Sequence, residues 1–213
     1  MLAEMLEDYE AMLQVQAVSA EYALLRKSVL RHQSKPIYEW PMGSRQELLV
    51  RAMRPSAHSV HDRSLGITCS NIAQCKPYAT FDRLQQDQVL SEEALRNHCG
   101  GTKPSSFISA SDNPSWLNKH MKALWSDTDF EGGHIAFIHI GFLGRLGILF
   151  RQSDQLVKTV GAVAWDPHAS QGGINYIHSA HWLIYGWVPP QAIRAVVAVH
   201  DFRAACTALA KGK

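Results

Sequence analysis

The stretch from Pro104 to Trp125 constrains the fold more than any other part of the chain, because a strand passes directly into a helix start within it. Pro104 to Ser111 (PSSFISAS) reads as a short strand. Asp112 or Asn113 then supplies a side-chain cap, and Pro114 fits a first helical turn, where its missing N–H is not needed. The helix runs to Trp125. This junction puts Ser109 and Ser111 at the end of a strand and makes them candidate functional hydroxyls, with Asp112 beside them.

The remaining segments mix both element types. Glu47 to Arg54 predicts a first core strand carrying Arg51 in its middle and Arg54 at its end, closed by Pro55. A short helix is expected to start near Ser91 and end at Gly100-Gly101, since Glu92 and Glu93 suit a first turn. His134 to Leu143 predicts a strand, Leu156 to Trp165 a further one, Asp166 to Gly173 a loop, and Tyr176 to Trp187 more strand. A strand or short helix follows Pro189-Pro190, and a short helix with a basic tail closes the chain. No regular strand–helix alternation and no internal repeat are present, so the expected class is α+β.

Residues 2 to about 33 predict a long amphipathic helix, with Leu2, Leu6, Tyr9, Leu13, Ala20 and Leu24 on one face. Pro36 stops it. The expected organisation is therefore a helical extension, 1–35, and a single α+β domain, 36–213. Acidic Glu4, Glu7, Asp8 and Glu10 near its start and basic Arg26, Lys27, Arg31, His32 and Lys35 near its end complement the helix dipole. The same basic end is a candidate anchor for phosphate or tRNA, and the apolar face a candidate contact between copies of the chain.

Composition narrows the class. Of 213 residues, 46% are hydrophobic and 19% charged, which excludes a disordered chain. A net charge of +2 leaves any nucleic-acid binding to a local patch. Four cysteines, Cys69, Cys75, Cys99 and Cys206, are too few for a disulfide scaffold and lack a Cys-x-x-Cys spacing, so they read as reduced thiols, with a Cys69–Cys75 bridge as the minority alternative. The acidic N-terminus and the lack of an apolar run of roughly 20 residues predict a cytoplasmic protein that does not enter a membrane.

The common nucleotide-loop, serine-elbow and zinc-protease motifs do not occur. Eleven histidines include the close pairs His58/His61 and His178/His181, but no carboxylate or thiol accompanies them at a familiar spacing, so no metal is expected. Trp182, Tyr185 and Trp187 crowd one segment, where core packing competes with a stacking platform for a base. Alternation in a strand places Tyr185 and Trp187 on one face and Trp182 on the other.

Three pieces in order, LLVRAMR, PSSFISASDNPSWL and SAHWLIYGWVPPQAI, resemble a family of uncharacterised fungal domains that read as a "YR" strand, a "PSPFIS-x-S" strand and a late "E-Y-L" strand ending in "IP". That family resembles distant ADP-ribosyltransferases. The resemblance implies an ADP-ribosyltransferase-like core with a mixed or antiparallel sheet. It also implies an NAD site with Arg51 on phosphate or ribose, Ser109 and Ser111 supporting the nucleotide, and the Trp182 to Trp187 strand at its edge. His181 stands where that family has glutamate. An imidazole cannot supply the negative charge that steadies a cationic sugar in glycosidic cleavage, although it can move a proton.

Three functions are then expected to compete. One is a transferase binding NAD or a related nucleotide. A second, by resemblance to small fungal arginine-containing cyclodipeptide synthases of secondary metabolism, is an aminoacyl-tRNA-dependent enzyme, with the basic helix end on tRNA, Ser109 or Ser111 as acyl acceptor and His181 as proton carrier. The third is a binding module without catalysis.

Overall fold

The run Leu48–Met53 is apolar apart from Arg51, as an interior strand requires, and it forms β1 near the middle of a sheet. The computed structural model describes residues 48–55, 61–100, 103–161 and 177–211, all within one unit, Pro41–Lys213. After β1 come β2 (His61–Asp62), β3 (Gly66–Thr68), α1 (Phe81–Gln86), α2 (Glu92–Gly100), β4 (Phe107–Ser111) and α3 (Pro114–Leu124). Then follow α4 (Asp127–Gly132), β5 (His134–His139), α5 (Ile140–Arg145), β6 (Phe150–Gln152) and α6 (Ser153–Thr159). Beyond these lie β7 (His181–Tyr185), β8 (Trp187–Val188), β9 (Ile193–Ala198) and α7 (Val199–Lys211).

The class is α+β. One sheet has the order β6-β7-β4-β1-β5-β9 with antiparallel neighbours throughout, and a smaller sheet has the order β2-β3-β8. Across β4 and β7, Ser111 lies opposite His181, Ser109 opposite Leu183 and Phe107 opposite Tyr185. Successive side chains alternate between faces, so these six residues share one face. The apolar part of that face packs under Phe81 and Leu84 of α1, Leu95 of α2, and Leu156 and Val157 of α6. Leu84, Leu95, Leu156 and Leu183 are fully buried there, and each contributes about 2 kcal/mol of hydrophobic stabilisation.

The helix starts follow local chemistry. Thr80 caps α1 by accepting the Arg83 N–H, and Ser91 accepts the Ala94 N–H at the start of α2. Asn113 caps α3 by accepting the N–H groups of both Ser115 and Trp116, with Pro114 in the first turn as its missing donor allows. Ser126 and Asp129 form a reciprocal capping box on α4.

Three sequence expectations are corrected. Leu156 to Thr159 is helical, because Leu156 and Val157 reach the core from α6; a short apolar run carries no periodicity that separates helix from strand. The strand expected to Leu143 ends at His139 and turns into α5. Tyr185 and Trp187 do not share a strand face, because Gly186 at φ 70° breaks the chain direction and sends Trp187 into the small sheet. Gly186 is pinned in that left-handed conformation, its N–H on the Ser106 carbonyl and its own carbonyl accepting the Cys69 N–H, both at 2.8 Å. The expected N-terminal helix with Arg26, Lys27, Arg31 and Lys35, together with His58 and the loop expected from Asp166, falls outside the described residues.

Candidate functional site

The polar end of the β4–β7 face is built around one hydroxyl. Ser109 projects from the middle of β4, and His181, one cross-strand diagonal away at the start of β7, places Nε2 3.0 Å from Ser109 Oγ. From the last turn of α2, His98 brings its own Nε2 to 2.8 Å from the same oxygen. The two rings lie nearly parallel, 12° apart with centroids at 6.4 Å. His181 is 1% exposed, whereas Ser109 retains partial access to solvent.

A serine hydroxyl carries one proton, so it donates to one imidazole and accepts from the other. His98 Nδ1 is in turn 2.8 Å from Ser105 Oγ, which also accepts the Phe107 N–H at 3.1 Å. Ser105, His98, Ser109 and His181 therefore form one relay. If Ser105 donates to His98 Nδ1, then His98 Nε2–H donates to Ser109, and the Ser109 proton points at His181.

His98 stays neutral in this relay. Burial, then the neighbouring His181 and then Arg51 push the His98 imidazole down to about 3, which holds it neutral. A neutral ring carries one N–H, and in the tautomer with that proton on Nε2 it donates to Ser109, leaving His181 as the proton acceptor.

Arg51 supplies the cation. It is 8% exposed on β1, and its Nη1 donates to the Ser109 carbonyl at 2.6 Å. Burial lowers its guanidinium to about 10, still protonated at neutral pH. Trp116, held at the first turn of α3 by the Asn113 cap, stacks at 5.7 Å and 21° on His181 and at 5.5 Å and 17° on His120. It also stacks on the exposed His178 at 5.9 Å. Burial first, and then Arg54, push His120 down to about 4.

A family model described as Domain of unknown function (DUF7587) matches residues 44–202. The chain belongs to this family. No curated protein and no solved structure matches it.

In this DUF7587 domain the residues expected at the site divide clearly. Arg51, Ser109 and His181 come together from the adjacent strands β1, β4 and β7. Arg54 is exposed and acts on His120 instead. Ser111 is fully buried and shapes the turn into α3, donating to the Asn113 carbonyl and accepting its N–H. Asp112 lies in that turn, and no hydrogen bond described joins it to Ser109 or His181.

Trp182 points to the opposite face from His181, where it packs on Phe150. Tyr185 belongs to the apolar cluster, and its hydroxyl is held by the Lys76 backbone. Neither makes a described hydrogen bond to Ser109, His98 or His181. Sequence reasoning missed His98 and Ser105, and the only local hint was a histidine at the end of a helix closed by Gly100-Gly101. No helix among the described residues is long and apolar enough to cross a membrane, and no cluster of three or more metal-ligating side chains occurs among them.

Proposed function

We propose that this DUF7587 domain is a transferase that binds a nucleotide-bearing acyl donor and takes the acyl group onto Ser109. One observation carries the reading: Ser109 Oγ lies between His98 Nε2 at 2.8 Å and His181 Nε2 at 3.0 Å, on a residue that is only half-buried. A serine within hydrogen-bond reach of a base, with a second group orienting the same oxygen, is the arrangement covalent catalysis requires.

The donor class that fits is an aminoacyl ester on the terminal ribose of tRNA. His181 takes the Ser109 proton as Oγ attacks the ester carbonyl, and the proton then passes to the departing ribose hydroxyl. The amine of a second aminoacyl-tRNA attacks the acyl-serine, forming a peptide bond and returning its proton to Oγ. The free amine of the resulting dipeptidyl ester then attacks the remaining ester carbonyl, closing a cyclic dipeptide and releasing the second tRNA with its ribose hydroxyl reprotonated. The buried positive charge of Arg51 beside the strand, with exposed Arg54 nearby on β1's end, favours an anionic, phosphate-bearing partner.

A second reading, NAD binding on an ADP-ribosyltransferase-like scaffold, draws support from the gathering of Arg51, Ser109 and His181 on three adjacent strands. It is disfavoured by an imidazole in place of the glutamate. Purified protein supplied separately with charged tRNA and with NAD separates the two. Deacylated tRNA with a dipeptide-sized product, lost in Ser109→Ala, supports acyl transfer. Nicotinamide release without it returns the weight to NAD, and inertness toward both substrates leaves a binding module.

A further inference from the structure

We propose that Cys69 and Cys75 form a dithiol–disulfide site, oxidised by a hydroperoxide, whose closure disturbs the hydrogen bonds orienting His98 beside Ser109. The regulatory consequence rests on the reading of Ser109 as the reactive group, whereas the thiol chemistry and its effect on His98 do not.

The two sulfurs lie 3.5 Å apart across a six-residue step of sequence, with both thiols free. Cys69 is buried at the end of β3, its N–H fixed on the Gly186 carbonyl, and Cys75 is half-buried against Gly186. The Cys69 thiol, hydrogen-bonded to Cys75, favours the Cys75 thiolate and lowers its pKa, with Ser106 and Tyr185 acting in the same direction against burial. Burial holds Cys99 up at about 12 and raises Cys206. The pair therefore combines a nucleophilic thiolate with a resolving thiol already in contact.

The reaction balances in two steps. Cys75 thiolate attacks one oxygen of the hydroperoxide, breaking the O–O bond, giving Cys75 sulfenic acid and releasing alkoxide or hydroxide, which takes up a proton. Cys69 sulfur then attacks the Cys75 sulfur and expels water, leaving one disulfide; the peroxide has accepted the electron pair. Bonding draws the sulfurs from 3.5 Å to about 2 Å.

Residues 70–74 between the cysteines absorb that movement, and they hold the site from behind. Ser70 Oγ accepts the Ser105 N–H at 2.8 Å and donates to the Ser105 carbonyl at 3.3 Å, and the Asn71 N–H reaches the same carbonyl at 3.2 Å. Ser105 Oγ is the partner of His98 Nδ1. Only Ser105 and one imidazole separate the cysteine loop from Ser109.

The test is titration of the purified full chain with hydrogen peroxide, read by peptide mapping and by the His98 ring C–H resonance, assigned through His98→Gln. The expected result is a dithiothreitol-reversible Cys69–Cys75 cross-linked peptide together with a shifted His98 resonance, both lost in Cys75→Ser. A chain in which Cys69 and Cys75 are never cross-linked at millimolar peroxide overturns the proposal, and so does a cross-link that leaves the His98 resonance unmoved. Neither readout involves a substrate, so failure of the acyl-transfer reading would register separately.

Discussion

Lowering the pH from 7 to 5 should destabilise this domain through histidines held neutral by burial. His98 is held at about 3 and His120 at about 4, against an ordinary 6.5. Between those values the unfolded chain binds more protons than the folded one, so stability is complete above 6.5 and is lost as pH falls toward the folded-state values. Each unit below 6.5 costs about 1.36 kcal/mol per group, or about 2 kcal/mol per ring at pH 5. Both residues are half-buried rather than fully enclosed, which moderates the effect, so the pair should lose about 2–4 kcal/mol. His61, also lowered mainly by burial, adds in the same direction. In a domain of this size the loss should lower Tm by about 5–15 °C, measured by circular dichroism at the two pH values. His98→Gln and His120→Gln should each remove about half of the difference. Equal Tm values at pH 7 and 5, or variants that keep the whole difference, would refute the reasoning.

Other outcomes follow from single contacts. Asn113→Ala removes the cap from two α3 N–H groups and should cost about 1 kcal/mol in denaturant unfolding. The Trp116 emission should shift with it, because that cap seats the indole on His181. Gly186→Ala meets only ordinary van der Waals contact with Cys75, so its cost should be the left-handed backbone alone, about 1–2 kcal/mol in the same assay. Leu183→Ala, by contrast, opens a cavity in the cluster under α1, α2 and α6 and should cost about 2–5 kcal/mol.

What was legible in the sequence was local. The start of α3 could be read because a cap and a first-turn proline act within three residues, and the class followed from the irregular order of elements. Ser109 stood out from its strand-to-helix junction, but its grouping with Arg51 and His181 was reachable only through resemblance, since their meeting depends on the order in which β7, β4 and β1 pair. Trp182 lies across the sheet from His181, because neighbours along a strand point to opposite faces, and adjacency in sequence does not carry it to Ser109. His98 left almost no trace. Its role comes from α2 packing its last turn over β4, a tertiary contact that no spacing within residues 92–100 encodes.

The central claim is that Ser109 is a nucleophile made reactive by the imidazoles beside it. It is tested most directly by acid-quenching the protein with charged tRNA and mapping the adduct by mass spectrometry. The account predicts an aminoacyl group on the Ser109 peptide, absent in Ser109→Ala and reduced by orders of magnitude in His181→Ala. Acylation elsewhere, or at Ser109 with undiminished yield in His181→Ala, would contradict it.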